Sequence, residues 1–185
     1  MPTQPRNTLR DCRHTHCARC GLFEQIVWAD ARLFKFQLYK GTTTMMLGLQ
    51  FANGLAFGID EALYVTAAAP GLVYRYEWKS DGTLGPRENV ADLIDRSQPP
   101  GFIGGDGLAV GQNGYLYCAV VGQSDVTVVD TVGSVVERIP VGGKQPTNVA
   151  FGPEGSGDIY VTVKDAGTLE RHHIGVDGLP LLPSK

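Results

Sequence analysis

The sequence predicts an all-β protein, a partial β-propeller of about three to four four-stranded blades. Three observations predict it. An opening phrase returns three times, as Asn53-Gly54-Leu55-Ala56-Phe57-Gly58, Asp106-Gly107-Leu108-Ala109-Val110-Gly111 and Asn148-Val149-Ala150-Phe151-Gly152. A Tyr-centred strand follows each return, with Tyr64 and Tyr117 placed 11 residues after the opening residue and Tyr160 placed 12 after it. The starts are separated by 53 and then 42 residues, close to the roughly 40–50 residues of a four-stranded blade. A β-sandwich, the competing all-β reading, does not require one phrase to open three units.

Residues 1–29 fit no repeat and are read as an irregular, disorder-prone N-terminal segment, and residues 30–185 as the partial propeller. Residues 32–39 alternate as a strand, Lys40-Gly41 turns the chain, and residues 42–47 form a second strand leading into Asn53. In the first full unit Leu55 and Phe57 belong to one strand and Leu63 and Val65 to the next. Leu72, Tyr74, Tyr76 and Trp78 keep a period of two, and Ser80-Asp81-Gly82 is a hairpin signal. In the second unit residues 126–130 form a strand, residues 131–134 turn, and residues 135–139 return. In the third, residues 169–174 form a strand and Val176-Asp177-Gly178 a turn. Gly104-Gly105-Asp106-Gly107 follows no βαβ pattern and reads as a turn rather than a phosphate loop.

Composition narrows the function. The chain of 185 residues is 43% hydrophobic and 19% charged, with a net charge of −3. It has no basic stripe for nucleic acid and no apolar run of membrane-spanning length. Its 24 glycines exceed the average of roughly 7% and suit short strands and tight turns. The first residues are polar and basic, without the apolar core of a secretory signal. Of the four cysteines, Cys12, Cys17 and Cys20 crowd into nine residues and Cys118 stands alone. That is no disulfide framework, so a reducing, cytoplasmic setting is expected.

Equivalent positions of propeller blades surround one axis. Asn53, Asp106 and Asn148 therefore converge near it, and two carboxamides with a carboxylate suit a hard divalent cation such as Ca²⁺. The competing explanation is that Asn and Asp before Gly are ordinary turn residues. Cys12, His14, His16, Cys17 and Cys20 include the C-x₂-C spacing of a structural zinc knuckle. A second spaced ligand pair is missing, which favours a Cys/His-rich tail. His172 and His173 are adjacent in a strand and point to opposite faces, so they cannot share a ligand. Trp28, Trp78 and Met45-Met46 read as packing residues.

At these phrases the sequence resembles the gluconolactonase/regucalcin (senescence-marker-protein) family of lactonase-type six-bladed β-propellers. The resemblance is carried by Phe51-Ala52-Asn53-Gly54, Gly105-Asp106-Gly107-Leu108, Gln145-Pro146-Thr147-Asn148, Asp158-Ile159-Tyr160-Val161-Thr162 and the stretch from Gly167 to Leu181, and it covers roughly residues 30–185. It implies hydrolysis of a small-molecule sugar lactone by metal-activated water, with Ca²⁺ as the first candidate and Zn²⁺ or Mg²⁺ as others. It implies that Asn53 and Asp106 hold the metal, that Asp106 is also the general base, and that Asn148 contacts substrate or supports the ligands. The family's further Glu ligand, in an early blade, has no counterpart here, and Glu24 is not assigned to that role. At roughly 40–50 residues per blade the chain falls short of six blades. Self-association to complete the ring is therefore expected. A catalytically impaired, truncated propeller acting as a binding or structural module is the alternative, and a strictosidine-synthase-like propeller a weaker one.

Overall fold

The structure is a computed structural model that describes residues 48–180 together with the backbone of three strands at 24–29, 32–37 and 41–46. Fourteen strands run in chain order: β1 (Glu24–Ala29), β2 (Arg32–Gln37), β3 (Gly41–Met46), β4 (Ala52–Phe57), β5 (Leu63–Ala67), β6 (Leu72–Tyr76), β7 (Glu88–Asp92), β8 (Gly104–Val110), β9 (Leu116–Val121), β10 (Asp125–Val129), β11 (Val135–Pro140), β12 (Pro146–Phe151), β13 (Asp158–Val163) and β14 (Thr168–His173). None of the described residues is helical. The strands form four antiparallel meanders in the orders β1-β2-β3, β4-β5-β6-β7, β8-β9-β10-β11 and β12-β13-β14. Sheets of this connectivity, opened by one repeated phrase, are propeller blades, as the repeat predicts.

The repeat has a packing cause. The glycine that closes each phrase lies under the ring of the tyrosine on the next strand. A β-carbon at Gly58 would collide with Tyr64, one at Gly111 would crowd Tyr117, and one at Gly152 would crowd Tyr160. Interiors packed this closely tolerate no added methyl there, so glycine and tyrosine recur together.

Neighbouring sheets then bury their faces against each other. Tyr64 and Ala56 pack on the cluster formed by Val73, Leu93, Leu108, Leu116, Cys118 and Val120. One blade further on, Tyr117 and Ala109 pack with Val149, Ile159, Val161 and Val163. A polar group of side chains also crosses the first of these boundaries. Buried Gln123 donates through Nε2 to the Leu93 carbonyl at 3.2 Å and accepts the Asp95 N–H at 2.6 Å. Arg138 donates to the same carbonyl and to the buried Thr127 hydroxyl, which in turn donates to Asp125. Every buried polar side-chain atom among the described residues has a partner, as a low-dielectric interior requires.

Several expectations change. Residues 24–29, assigned to the irregular segment, contain a strand paired with β2 along its whole length. Residues 104–107 are not a turn but the start of inner strand β8, with a register shift between Gly105 and Leu108. The glycines there answer to crowding: a β-carbon at Gly104 would strike the Ala68 carbonyl, and one at Gly105 would strike Leu93. The segment around Asp177 is more than a turn. The Gln112 N–H donates to the Asp177 carbonyl and Leu179 pairs with Val110, tying the end of the β12–β14 sheet to β8. Trp78 packs edge-on against Phe57 with ring centroids 5.3 Å apart. The zinc candidates Cys12, His14, His16, Cys17 and Cys20, and the side chains of Glu24, Trp28, Met45 and Met46, lie outside the described residues.

Candidate functional site

Asn53 opens β4, Asp106 sits in the first half of β8, and Asn148 sits in β12. These three inner strands lie side by side, and the phrase glycines set how closely. A β-carbon at Gly54 would collide with the Asp106 carbonyl, and one at Gly107 would collide with the Asn148 carboxamide. Each glycine after an opening residue thus makes room for the opening residue of the next blade. The sequence-derived trio is brought together: the Asn53 side chain lies near enough to the Asp106 carboxyl to favour its charged form, and Asn148 stands against the next peptide, at Gly107.

Burial dominates the electrostatics of Asp106 and pushes its carboxyl up to about 6 from an ordinary 3.8. Hydrogen bonding from the Gly107 backbone and the Asn53 side chain, and the charge of Lys164, offset that only in part. A carboxylate half removed from water and short of compensating charge is poised to take a proton or a cation near neutrality.

Thr66, on β5, completes the local construction. Its hydroxyl is fully buried, accepts the Gly54 N–H at 2.7 Å and donates to the Asp106 carbonyl at 2.5 Å. One side chain therefore fixes the peptide after Asn53 against the backbone of Asp106, across the boundary between two blades. Sequence reasoning missed it, because threonine is common in strands.

The other candidates are accounted for elsewhere. His172 pairs with Glu170 at 3.2 Å and His173 with Asp158 at 2.9 Å, so the two imidazoles serve different partners, as their alternation predicts. Cys118 is a free, fully buried thiol pushed up to about 12 by burial, which makes it a packing group. Among the described residues no group of three or more His, Cys, Asp and Glu side chains gathers to hold a metal. Any ion at the axis would thus rely on Asp106 and on amide oxygens, a hard donor set of the kind that oxygen-seeking divalent cations take.

The fold and the site together define a β-propeller with a polar, carboxylate-bearing centre on its inner strands. The chain belongs to the family described as SMP-30/Gluconolactonase/LRE-like region, which matches residues 18–165. It is 30% identical over 136 residues to the pentonolactonase XacC of Haloferax volcanii, covering 72% of this chain and 45% of that protein. It is 32% identical over 114 residues to a 6-deoxy-6-sulfogluconolactonase of Pseudomonas putida, covering 60% and 37%. The chain spans less than half the length of these curated relatives. Among solved structures it resembles the gluconolactonase XC5397 of Xanthomonas campestris, at 25% identity and a TM-score of 0.60, over 80% of this chain and 44% of that one. It also resembles the calcium-binding protein regucalcin of Agrobacterium tumefaciens, with 23% identity, a TM-score of 0.65, and 80% and 59% covered. That second likeness bears on the fold alone.

Proposed function

We propose that this chain carries the water-activating part of a metal-dependent sugar-lactone hydrolase, centred on Asp106. The observation that carries the proposal is the half-buried Asp106 carboxyl, raised to about 6 and held beside Asn53. Family membership and the two lactonase relatives supply the reaction class. Hydrolysis needs a base matched to near-neutral pH; the cation-free Asp106 carboxyl starts at about 6, and a cation bound beside it would lower that value and the pKa of its water together. It takes a proton from the attacking water as the new C–O bond forms at the lactone carbonyl carbon. The ring C–O bond then breaks, and the proton passes to the departing ring oxygen, leaving a hydroxy acid.

Asp106 and Asn53 would hold the cation, with Ca²⁺ the first candidate and Zn²⁺ or Mg²⁺ the others; when bound it supplies Lewis-acid polarisation of the carbonyl and a more acidic water. Asn148, beside the Gly107 peptide, is placed to contact substrate or to support Asp106. Thr66 keeps the Asp106 and Gly54 backbones in register. Self-association belongs to the same proposal. The outer face of β12–β14 carries Ala150 and Tyr160, counterparts of the Ala56/Tyr64 and Ala109/Tyr117 pairs that pack on the next sheet. A second copy continuing that series of interfaces is the expected occupant.

The test is turnover of D-glucono-1,5-lactone by the purified chain with Ca²⁺ and after chelation, for wild type and Asp106→Ala. Turnover that needs the cation and is lost in the variant supports the proposal. Equal turnover by wild type and variant overturns it.

A further inference from the structure

Two large aromatic side chains stand in the open at the same end of the inner strands as Asn53 and Asp106. Phe51 is 61% exposed and Phe102 is 56% exposed, and they touch edge-to-face with ring centroids 6.1 Å apart at 81°. Phe51 lies two residues before Asn53, and Phe102 four residues before Asp106. The pair therefore bridges the same blade boundary that Asn53 and Asp106 bridge.

The backbone beneath them is held firmly. The Phe51 carbonyl accepts the Ala68 N–H at 2.9 Å, and the Ala68 carbonyl lies against Gly104, two residues beyond Phe102. The Phe102 carbonyl presses on Gly122. Phe51 also has a φ of +53°, a region that bulky residues rarely enter. The other described non-glycine residues with positive φ are Glu61 and Ser124, polar residues in the β4–β5 and β9–β10 turns. Strain of this sort persists where the surroundings enforce it, and it gathers at ligand sites. Aromatic side chains next to a few placed polar groups are what line small-molecule sites.

We infer that Phe51 and Phe102 form an apolar platform on which the C–H face of a sugar-lactone ring rests, with its carbonyl carbon turned toward the water that Asp106 activates. This rests on the lactonase proposal for the reaction and adds the residues that recognise the ring. Phe102 supplies contact area next to the β8 end of the site. Phe51, with its left-handed backbone, supplies it next to the β4 end.

The test uses Phe102→Ala, Phe102→Tyr and Phe51→Gly in the full chain, with two readouts. One is KM and kcat for D-glucono-1,5-lactone. The other is saturation-transfer NMR with 1,5-anhydro-D-glucitol, a pyranose ring with no lactone carbonyl, which needs no turnover. Loss of one aromatic contact should raise KM about fivefold, the scale of one aromatic pair interaction, with kcat nearly unchanged. Phe102→Tyr should keep the wild-type KM. Phe51→Gly should weaken binding while holding or raising the melting temperature, because glycine accepts the positive φ without strain. Saturation transfer to 1,5-anhydro-D-glucitol should fall in Phe102→Ala and Phe51→Gly. Wild-type KM and saturation transfer in both of those variants would overturn the platform and leave the lactonase proposal standing. Binding of 1,5-anhydro-D-glucitol that depends on these residues, in a chain that turns over no lactone, would sustain the platform and overturn the reaction. Neither binding nor turnover by wild type would overturn both.

Discussion

Replacing Asp106 by Asn should stabilise the cation-free chain at neutral pH while removing its chemistry. Burial lifts the carboxyl from 3.8 to about 6, roughly two units, and each unit is worth about 1.36 kcal/mol. The side chain keeps some contact with water, which screens the effect, so about 1–2 kcal/mol of the nominal ~3 is expected. The sign follows from proton linkage. Below pH 3.8 the carboxyl is protonated in both folded and unfolded chains, and wild type keeps the full benefit of a neutral group. As pH rises through about 6 the folded chain must ionise a buried group, and that benefit is lost. Asn stays neutral throughout. The stability gap between Asp106→Asn and wild type should therefore be near zero at pH 3.5, open between about pH 4 and 6.5, and level off above. The assay is thermal unfolding in chelator across that range, where 1–2 kcal/mol corresponds to about 3–6 °C in a chain of this size. A gap of constant size at every pH, or a variant less stable than wild type at pH 7.5, would refute the reasoning that burial sets the Asp106 carboxyl.

Thr66→Val removes the hydroxyl between Gly54 and Asp106 at almost constant shape and leaves the half-buried Gly54 N–H without its acceptor. A loss of about 1–3 kcal/mol is expected. Lactonase kcat should fall as well, with Thr66→Ser restoring most of both, as urea melts and steady-state rates would show. Sedimentation equilibrium should find the wild-type chain self-associated, and Tyr160→Glu on the outer face of β12–β14 should weaken that association. A wild-type monomer that unfolds cooperatively and binds no hydrophobic dye would contradict it. Phe102→Ala should leave the pH dependence of kcat unchanged, because Phe102 contacts ring carbon and not the proton-carrying groups; a shifted profile would place it closer to Asp106 than its position implies.

The blades were legible in the sequence because their defining contact is local and repeated. Gly58 under Tyr64, Gly111 under Tyr117 and Gly152 under Tyr160 each require a fixed residue pair at a fixed interval, and such pairs leave a readable period. The convergence of Asn53, Asp106 and Asn148 followed from the same period. Strand β7 was not legible: its outer-strand sequence Glu88-Asn89-Val90-Ala91-Asp92 is polar at both ends and partly exposed, so neither alternation nor propensity marks it. Gly104 and Gly105 misled for a physical reason, since glycine demanded by close backbone approach looks like glycine demanded by a turn. Thr66 was invisible because its partners, Gly54 and Asp106, lie 12 and 40 residues away. The strain at Phe51 likewise belongs to a backbone angle, and no residue type announces it.

On the function proposed above, Asp106, with Asn53, takes up a divalent cation at the axis of the blades. Calorimetric titration of the chain with Ca²⁺ at pH 6, in buffers of differing ionisation heat, tests it most directly. A carboxyl that titrates at about 6 is half protonated there, so binding should release roughly half a proton per ion. It should release almost none at pH 8, and Asp106→Ala should abolish the binding heat. Ca²⁺ binding to Asp106→Ala with wild-type affinity, or wild-type binding with no proton release at pH 6, would contradict it.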